Sequence, residues 1–297
     1  MQFAVLAQPE SWYFRDLSRA AADLGSRCER WDFARLTGGL VDGQPVLQHD
    51  VEPITHPRPI IVRSMPAGSL EQVVFRMDVL ARLEAIGCPV VNPPKALECA
   101  IDKYLTTARL AAAGLSVPDT LVCEDADAAQ QAWERLGRDV VVKPIFGAEG
   151  RGIMRLTDPD LAWRTFRTLY RTQSVLYLQR FINHPGYDIR VLVLGESVLG
   201  GMRRSSPDDF RVNVARSGHA APHQPTDHEA ELALAAARAT GNVFAGIDLL
   251  YDDAGRCYVI EVNGVPGWQA FARANQLDVA HVFLRWLAER APAVSCP

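Results

Sequence analysis

The residues of this sequence best suited to chemistry are two carboxylates and an amide near its C-terminal end, Asp248, Glu261 and Asn263. They lie in two apolar stretches joined by Asp252-Asp-Ala-Gly255, which is a hairpin signal. Alternation along a strand sends Glu261 and Asn263 to one face, and pairing across the turn brings Asp248 beside them. An exposed polar strip is the alternative, but an unpaired carboxylate within an apolar strand is costly. The pattern therefore predicts an all-oxygen site for Mg²⁺, with Mn²⁺ as an alternative ion.

A second segment has the residues of a phosphate-binding turn. The apolar stretch 139–143 reads as a buried strand that ends at Lys143, and glycines follow at 147, 150 and 152. Glycines permit positive φ and let backbone N–H groups approach phosphate oxygens closely. The spacing matches neither the Gly-x-x-x-x-Gly-Lys-Ser/Thr loop nor the dinucleotide fingerprint, and a structural hairpin is an open alternative.

Cations and polar groups recur on the strands before the acidic hairpin. They are Arg190, Arg204, Arg211, Asn213 and Arg216. Such a run can be a solvated surface. Beside a nucleotide and metal site, however, it can stabilise the anions of phosphoryl transfer.

Together these segments resemble a known family. From about Asn92 to Arg290 the chain is similar to ATP-grasp ligases, specifically the RimK-like group of α-L-glutamate ligases. The residues that carry this resemblance are Ile101-Asp-Lys103, Val117-Pro118, Val142-Lys143-Pro144, the loop Gly147–Gly152, Gln179, Asp188-Ile-Arg190, Arg204, Arg211-Val-Asn213, Arg216, Asp248 and Glu261-Val-Asn263. Two further segments, Val62–Asp78 and Asn263–Trp268, resemble the RimK-like proteins associated with tetrahydromethanopterin biosynthesis.

The resemblance implies a role for each matching residue. Adenine would lie near the hinge segment 179–182, and the ribose near Asp188. The residues it assigns to the nucleotide are Lys103, Lys143, Gly147, Gly150, Gly152, Gln179, Arg180, Phe181, Ile182, Asp188, Arg211 and Asn213. It assigns the metal to Asp248, Glu261 and Asn263, and the stabilisation of reacting carboxylates and acylphosphate to Arg190, Arg204 and Arg216.

The implied reaction is an ADP-forming ligation between a carboxylate and an amine. ATP converts the acceptor carboxylate into an acylphosphate, which the amine of an amino acid, L-glutamate in this group, then attacks. The expected acceptor is a tetrahydromethanopterin-type pterin precursor. The alternatives are a protein C-terminus, another cofactor, a phosphotransferase that releases a phosphorylated product, and an ATP-binding regulatory protein with no ligase activity.

Three features depart from the family or lie outside its motifs. Many relatives have Glu after the hinge Gln, where this chain has Arg180, and Ala148-Glu149 is unusual in the glycine loop. Trp268 directly follows Pro266-Gly267 after the acidic hairpin. Its indole can either stack on a flat substrate or pack in a core.

The surrounding elements predict an α/β fold with α+β lobes. Strands near 3–7, 57–62 and 89–91 alternate with helices in a small Rossmann-like parallel unit over residues 1–92. The remainder is expected to form an ATP-grasp fold with one lobe over 93–178 and a second over 179–297. A capping box at Ser69 begins a helix whose apolar face is predicted to comprise Leu70, Val73, Val74, Met77 and Leu80. A further single helix is expected over 97–113.

Composition narrows the function classes. The 297 residues carry a net charge of −4, with 48% hydrophobic content. These values exclude a disordered chain and argue against non-specific nucleic-acid binding. No segment has the ~18–20 consecutive apolar residues of a membrane span. With six scattered cysteines, the chain is expected to be cytoplasmic with reduced thiols, and the oligomeric state is left open, a homo-oligomer included.

Overall fold

The computed structural model describes residues 1–147, 151–206 and 219–290. The chain forms two compact units, and each is described separately. The first comprises Met1–Leu97 together with the segment that begins at Gly267, and the second comprises Glu98–Pro266. The expected boundaries at 92/93 and 178/179 stay predictions, and the return of the last helices to the N-terminal unit was not among the expectations.

The described residues form sixteen strands, nine α-helices and one short 3₁₀ helix, Phe33–Arg35. The strands are β1 (Gln2–Leu6), β2 (Arg27–Trp31), β3 (Leu36–Val41), β4 (Gln44–His49), β5 (Glu52–Pro53), β6 (Ile60–Val62), β7 (Val90–Val91), β8 (Thr120–Cys123), β9 (Val140–Lys143), β10 (Met154–Leu156), β11 (Leu176–Arg180), β12 (Tyr187–Leu194), β13 (Ser197–Ser205), β14 (His219–His223), β15 (Phe244–Tyr251) and β16 (Cys257–Asn263). The helices are α1 (Trp12–Asp23), α2 (Leu70–Ala85), α3 (Pro94–Ile101), α4 (Lys103–Ala112), α5 (Ala126–Arg135), α6 (Pro159–Arg171), α7 (Asp227–Thr240), α8 (Gln269–Asn275) and α9 (Val279–Arg290). None of these helices is long and apolar enough to cross a membrane.

The first unit is built on a four-stranded parallel sheet in the order β2-β1-β6-β7. Its central strand β1 is almost entirely buried, as expected for an apolar strand covered on both faces. This arrangement confirms the predicted parallel α/β unit. A small antiparallel sheet, β3-β4-β5, was not predicted.

Helix α2 shows where the sequence pattern was wrong. Its capping box forms as predicted, because Ser69 and Gln72 each accept from the other's backbone N–H. Leu70 and Val74, however, are 80% and 49% exposed. The buried residues are Arg76, Val79, Leu80 and Leu83. The predicted apolar face is therefore wrong at Leu70 and Val74, whereas Leu80 is buried as predicted. Arg76 is buried as well, because a long side chain can bury its apolar stem when its head group is satisfied: Arg76 donates to the Pro66 carbonyl at 2.7 Å.

The second unit contains two antiparallel sheets. The smaller has the order β10-β9-β11-β8, and α5 and α6 pack on it through residues such as Trp133 and Phe166. The larger has the order β14-β13-β12-β15-β16 and is covered by α7, whose buried alanines contact Ile189, Val191 and Ile247. The functional residues predicted in the described ranges all lie in this unit.

The expected single helix over 97–113 is two helices. The chain breaks at Asp102, whose carboxylate accepts from the Leu105 N–H at 2.9 Å and so caps α4. An aspartate that can cap a new helix competes with continuation of the old one. The break places Lys103 at the first position of α4.

Candidate functional site

The structure brings together the three residues predicted as metal ligands. In the antiparallel pair β15–β16, Asp248 is directly opposite Glu261, and Gly246 is opposite Asn263. The ladder shifts register immediately after Asp248, at a bulge of the kind that often re-aims a side chain beside an active site. The amide nitrogen of Asn263 lies 3.4 Å from Asp248 Oδ2 and 3.3 Å from the Gly246 carbonyl oxygen.

Asp248 also belongs to a compact group of four charges, here called the arginine–aspartate cluster: Asp188, Arg190, Arg204 and Asp248. Arg190 binds both oxygens of Asp248, at 2.6 and 2.7 Å. Arg204 binds both oxygens of Asp188, at 2.8 and 2.5 Å, and its Nη2 also lies 3.0 Å from Asp248 Oδ2. Strand register explains the cluster, because Arg190 is directly opposite Asp248, and Asp188 is directly opposite Arg204. The two arginine–aspartate pairs therefore lie side by side on the neighbouring strands β13, β12 and β15.

The electrostatics of the cluster follow from burial and pairing. Burial by itself would raise the pKa of Asp248, but Arg190 and Arg204 outweigh it and lower that pKa to about 2. The main partner of Asp188 is Arg204, which also contacts Asp248. Burial therefore outweighs the attraction to Arg204, and the pKa of Asp188 is raised. Burial opposes the charge on Arg204, but Asp248 and Asp188 raise its pKa. Asp248 is thus the carboxylate held most firmly in its ionised form.

Two lysines, here called the lysine pair, approach the same hairpin. The Lys103 ammonium donates to the Gly147 carbonyl at 2.8 Å and lies 3.8 Å from Glu261 Oε1. The Lys143 ammonium donates to Gln179 Oε1 at 2.7 Å. Burial, with a further contribution from Lys103, lowers the pKa of Lys143 to about 8, although Glu261 and Asp248 oppose the shift. The pair therefore carries positive charge that is not neutralised by a bidentate carboxylate.

In the predicted hinge segment, residues 179–182, the side chains and the backbone groups have different partners. The Gln179 side chain is only 4% exposed and faces Lys143. The backbone N–H groups of Arg180 and Phe181 donate to the carbonyls of Asp119 and Asp139, at 2.8 and 3.0 Å. The Arg180 guanidinium lies 3.0 Å from the Asp119 carboxylate, in solvent. The adenine contacts expected for this segment stay predictions.

Comparison with known proteins gives a family for this geometry. A sequence profile of the RimK-like ATP-grasp domain matches residues 100–287. A tetrahydromethanopterin:alpha-L-glutamate ligase of Methanosarcina acetivorans is 33% identical over 77% of the chain and 79% of that protein. The chain belongs to the RimK-like ATP-grasp family. The predicted resemblance and the predicted enzyme class, an ATP-grasp ligase that joins an acid to an amino acid, are confirmed at this level.

Other relatives and solved structures extend the likeness. An alpha-aminoadipate–LysW ligase, LysX, of Saccharolobus solfataricus is 32% identical over 70% of this RimK-like chain and 77% of that protein. The ATP-grasp ligase PsnB, solved with a minimal precursor, Mg and ADP, superposes with a TM-score of 0.76 at 22% identity, covering 97% of this chain and 96% of that one. A RimK domain ATP-grasp protein of Sphaerobacter thermophilus superposes with a TM-score of 0.71 at 21% identity, covering 97% and 100%. These structures confirm the predicted fold class. The RimK-like ATP-grasp domain that the profile matches implies that the chain binds ATP with Mg²⁺.

Four predicted residues of this RimK-like chain, Gly150, Arg211, Asn213 and Arg216, lie outside the described residues. Gly152 is described, and its φ of +73° lies in the region that glycine favours. A Cβ added there would lie 2.9 Å from the Pro144 ring. A glycine is therefore required at this point of the loop for both conformational and steric reasons.

The donor set of the RimK-like site fits Mg²⁺. Asp248 Oδ2 accepts from Arg190, Arg204 and Asn263, whereas Oδ1 accepts only from Arg190 among the contacts of the described residues, which leaves it a lone pair. Glu261 and the amide oxygen of Asn263 complete the oxygen donors. In the described part of the chain no three His, Cys, Asp or Glu side chains could hold a metal by themselves. Two carboxylates and an amide instead suit an ion that nucleotide phosphates also bind.

Three polar residues beside the lysine pair were not predicted from the sequence. Thr107, Thr120 and Tyr177 form hydrogen bonds that reach Gln179. The available signal was strand alternation, which places Tyr177 on the same face as Gln179 two residues later. The partners Thr107 and Thr120 come from other elements, and no spacing pattern points to them.

The sequence left open whether Trp268 stacks on a flat substrate or packs in a core, and its packing decides between the two. Its side chain is fully buried in the first unit, and its indole N–H donates to Asp16 at 2.9 Å. The Arg63 guanidinium lies over its ring at 4.3 Å, with Tyr13 at the ring edge. Trp268 is therefore a core residue of that unit.

Proposed function

We propose that this chain is an ADP-forming ligase that joins the amine of L-glutamate to a carboxylate of a tetrahydromethanopterin-type pterin precursor. Mg²⁺ accompanies the ATP, and Mn²⁺ can replace it. The proposal is supported by three relatives of that name, each 33% identical over 71–77% of the chain, from Methanosarcina acetivorans, Methanococcus maripaludis and Methanocaldococcus jannaschii.

The observation that carries the ligase reaction is the opposition of Asp248 and Glu261 across β15–β16, beside the lysine pair. Carboxylates for a divalent ion and cations for phosphates then lie at one place. ATP activates the acceptor carbonyl, so no nucleophilic triad is needed, and the protein contributes positioning and charge stabilisation.

In the first half-reaction, the acceptor carboxylate oxygen attacks the γ-phosphorus of ATP. The bond from that phosphorus to the bridging oxygen breaks, giving an acylphosphate and ADP. Lys103 and Lys143 hold the phosphates as point charges. Asp248, Glu261 and Asn263 would hold Mg²⁺, which neutralises developing charge on the phosphates.

In the second half-reaction, the glutamate amine attacks the acyl carbon. The tetrahedral intermediate expels inorganic phosphate and the nitrogen loses a proton, leaving an amide. Arg190 is the member of the arginine–aspartate cluster that can reach these groups, because 16% of its side chain is exposed. Arg204 acts through Asp248 and Asp188, and Arg216 is proposed from the family pattern alone.

A second acceptor class is favoured by specific relatives. LysX of Saccharolobus solfataricus is named for a ligation to LysW, and PsnB is solved with a precursor peptide. A protein or peptide carboxylate is therefore the alternative acceptor.

The test is an ADP-release screen. Wild-type protein is incubated with ATP, Mg²⁺, each amino acid, and a pterin, F420-like or peptide acceptor, and products are read by mass spectrometry. We expect glutamate-dependent ADP release with the pterin acceptor and a mass increase of one or more glutamyl residues. The Glu261→Gln variant serves as the inactive control. Failure to incorporate glutamate with every acceptor would contradict the proposal, and incorporation only into peptides would select the second acceptor class.

A further inference from the structure

A chain of buried and partly buried hydrogen bonds joins the side chain of Lys143 to the backbone of Lys103. The Lys143 ammonium donates to Gln179 Oε1 at 2.7 Å, and the Gln179 amide nitrogen lies 3.1 Å from the Tyr177 hydroxyl. That hydroxyl lies 2.8 Å from Thr107 Oγ1, which donates to the Lys103 carbonyl at 2.7 Å. The two members of the lysine pair are thereby connected through three side chains that the ligation mechanism does not use directly.

The direction of every bond in this chain can be assigned. An ammonium only donates, so the oxygen of the Gln179 amide must face Lys143 and its nitrogen must face Tyr177. The Thr107 hydroxyl has one proton, which the Lys103 carbonyl accepts, so Thr107 accepts from Tyr177. Tyr177 has then used its own proton and accepts from Gln179. No hydroxyl in the chain can rotate without breaking a bond.

The second proton of the Gln179 amide is also committed. It is donated to Thr120 Oγ1 at 3.0 Å, and Thr120 in turn donates to the Pro118 carbonyl at 2.9 Å. The orientation of the amide is therefore fixed from both of its ends.

Because Tyr177 and Gln179 are buried, breaking one of their hydrogen bonds is costly. Tyr177 and Gln179 are 1% and 4% exposed, and burial raises the pKa of the Tyr177 phenol, which stays protonated. A polar group in such a place is costly unless it is satisfied, and hydrogen bonds in a low dielectric are strengthened. Tyr177 is also directly opposite Lys143 in the β9–β11 ladder. The hydroxyl therefore joins the sheet that presents one lysine to the helix that presents the other.

We propose that Tyr177 is a positioning residue for nucleotide phosphates, which holds Lys143 on β9 and Lys103 on α4 at one spacing through Gln179 and Thr107. The inference rests on the proposed function in one respect, since ATP is the ligand that both lysines share. The Tyr177 hydroxyl acts through the lysines and has no contact with the nucleotide of its own.

The experiment measures ADP–Mg²⁺ binding by calorimetry with no acceptor or amino acid present. Tyr177→Phe keeps the ring and removes the hydroxyl, and we expect about 3- to 10-fold weaker binding, the range that one or two hydrogen bonds supply. Tyr251→Phe is the matched control. It removes a hydroxyl that donates to Glu229 at 3.0 Å in the larger sheet, and it should leave ADP affinity unchanged. Equal losses in the two variants would overturn the proposal.

A double-mutant cycle separates positioning from a general structural role. In a Lys143→Met background the first bond of the chain is already absent, so adding Tyr177→Phe should weaken ADP binding less than about twofold. Fully additive losses would overturn the proposal. If Tyr177→Phe folds poorly, Thr107→Val provides a second test. It removes the Thr107 hydroxyl, which breaks the next bond of the chain without changing the aromatic core, and it should weaken ADP binding to the same extent as expected for Tyr177→Phe.

The outcome is independent of the acceptor and amino acid. If the wild-type protein binds ADP but never incorporates glutamate, the proposed function is contradicted and the role of Tyr177 is not affected. Wild-type protein that ligates glutamate, with Tyr177→Phe binding ADP normally, contradicts the role of Tyr177 alone.

Discussion

The arginine–aspartate cluster and the lysine pair lie in the same unit and use positive charge in opposite ways. In the cluster, each guanidinium makes a bidentate pair with a carboxylate, and two arginines balance two aspartates. In the lysine pair, the ammonium groups donate to neutral oxygens, those of Gln179 and of the Gly147 backbone.

The difference follows from the chemistry of the two side chains. A planar guanidinium matches a carboxylate at two points and stays charged when buried. An ammonium is a point charge whose pKa falls on burial, and for Lys143 it falls to about 8. The arginines therefore hold the carboxylates of the site in place, whereas the lysines keep charge available for an anionic ligand. Four measurements test this contrast.

The largest effect is expected for Asp248→Ala. It removes the buried carboxylate that Arg190, which is partly buried, binds through both oxygens, and leaves the buried Arg204 with Asp188 alone among the described carboxylates. We expect a loss of about 3–5 kcal/mol in the free energy of unfolding, together with loss of ADP release. Urea denaturation measures the first effect. An unchanged midpoint would show that the cluster does not depend on Asp248.

Glu261→Gln should separate activity from stability. Glu261 is only partly buried, and the ion pair found for it is a 3.8 Å contact with Lys103. We therefore expect ADP release to fall on the order of 100-fold, because a charged side chain that we propose as a metal ligand is lost, with a melting temperature near that of wild type. A stability loss as large as that of Asp248→Ala would erase the distinction between the two carboxylates.

The pH dependence of nucleotide binding tests the lysine pair. Because the pKa of Lys143 in the free protein is about 8, its ammonium loses a proton as the pH rises through 8, and phosphate binding must then restore it. ADP affinity should fall above pH 8 by up to about tenfold per pH unit, measured by calorimetry. Lys143→Arg keeps its charge in this range and should remove the fall. A pH profile with the same slope in both proteins would place the titration elsewhere.

The smallest effect is expected for Arg180→Ala. The Arg180 side chain is 48% exposed, and its ion pair with Asp119 lies in solvent. We expect a change of less than about 1 kcal/mol in the free energy of unfolding and little change in ADP affinity, because exposed ion pairs contribute little. Marked weakening of ADP binding would show that this guanidinium, unlike those of the cluster, contacts the nucleotide.

Local signals in the sequence predicted the parts of the site that are close along the chain. The turn at 252–255 predicted the hairpin that carries Asp248 and Glu261, because a short turn pairs the strands on either side of it. Their direct opposition depends on the register shift after Asp248, which the turn does not predict. The capping box at Ser69 formed for the same local reason. The single helix expected over 97–113 failed at Asp102, where the side chain could cap a helix as readily as continue one.

Local signals did not predict the pairing of residues that are far apart along the chain. Arg190 and Asp248 are 58 positions apart, and only the order β13-β12-β15 brings the two charge pairs of the cluster together. The apolar face predicted for α2 was wrong at Leu70 and Val74 for a similar reason, since which face of a helix is buried depends on the elements that pack against it.

The amino-acid sequence alone determined the residue types of the site, the hairpin that carries its two carboxylates, and the family to which the chain belongs. Only the tertiary structure decided the partners of those residues. Gln179 faces Lys143, and the cluster arginines pair with Asp188 and Asp248, in pairings that no spacing in the sequence specified. The physical reason is that hydrogen bonds and ion pairs are settled by distances of about 3 Å between separate elements, and neither composition nor spacing records those distances.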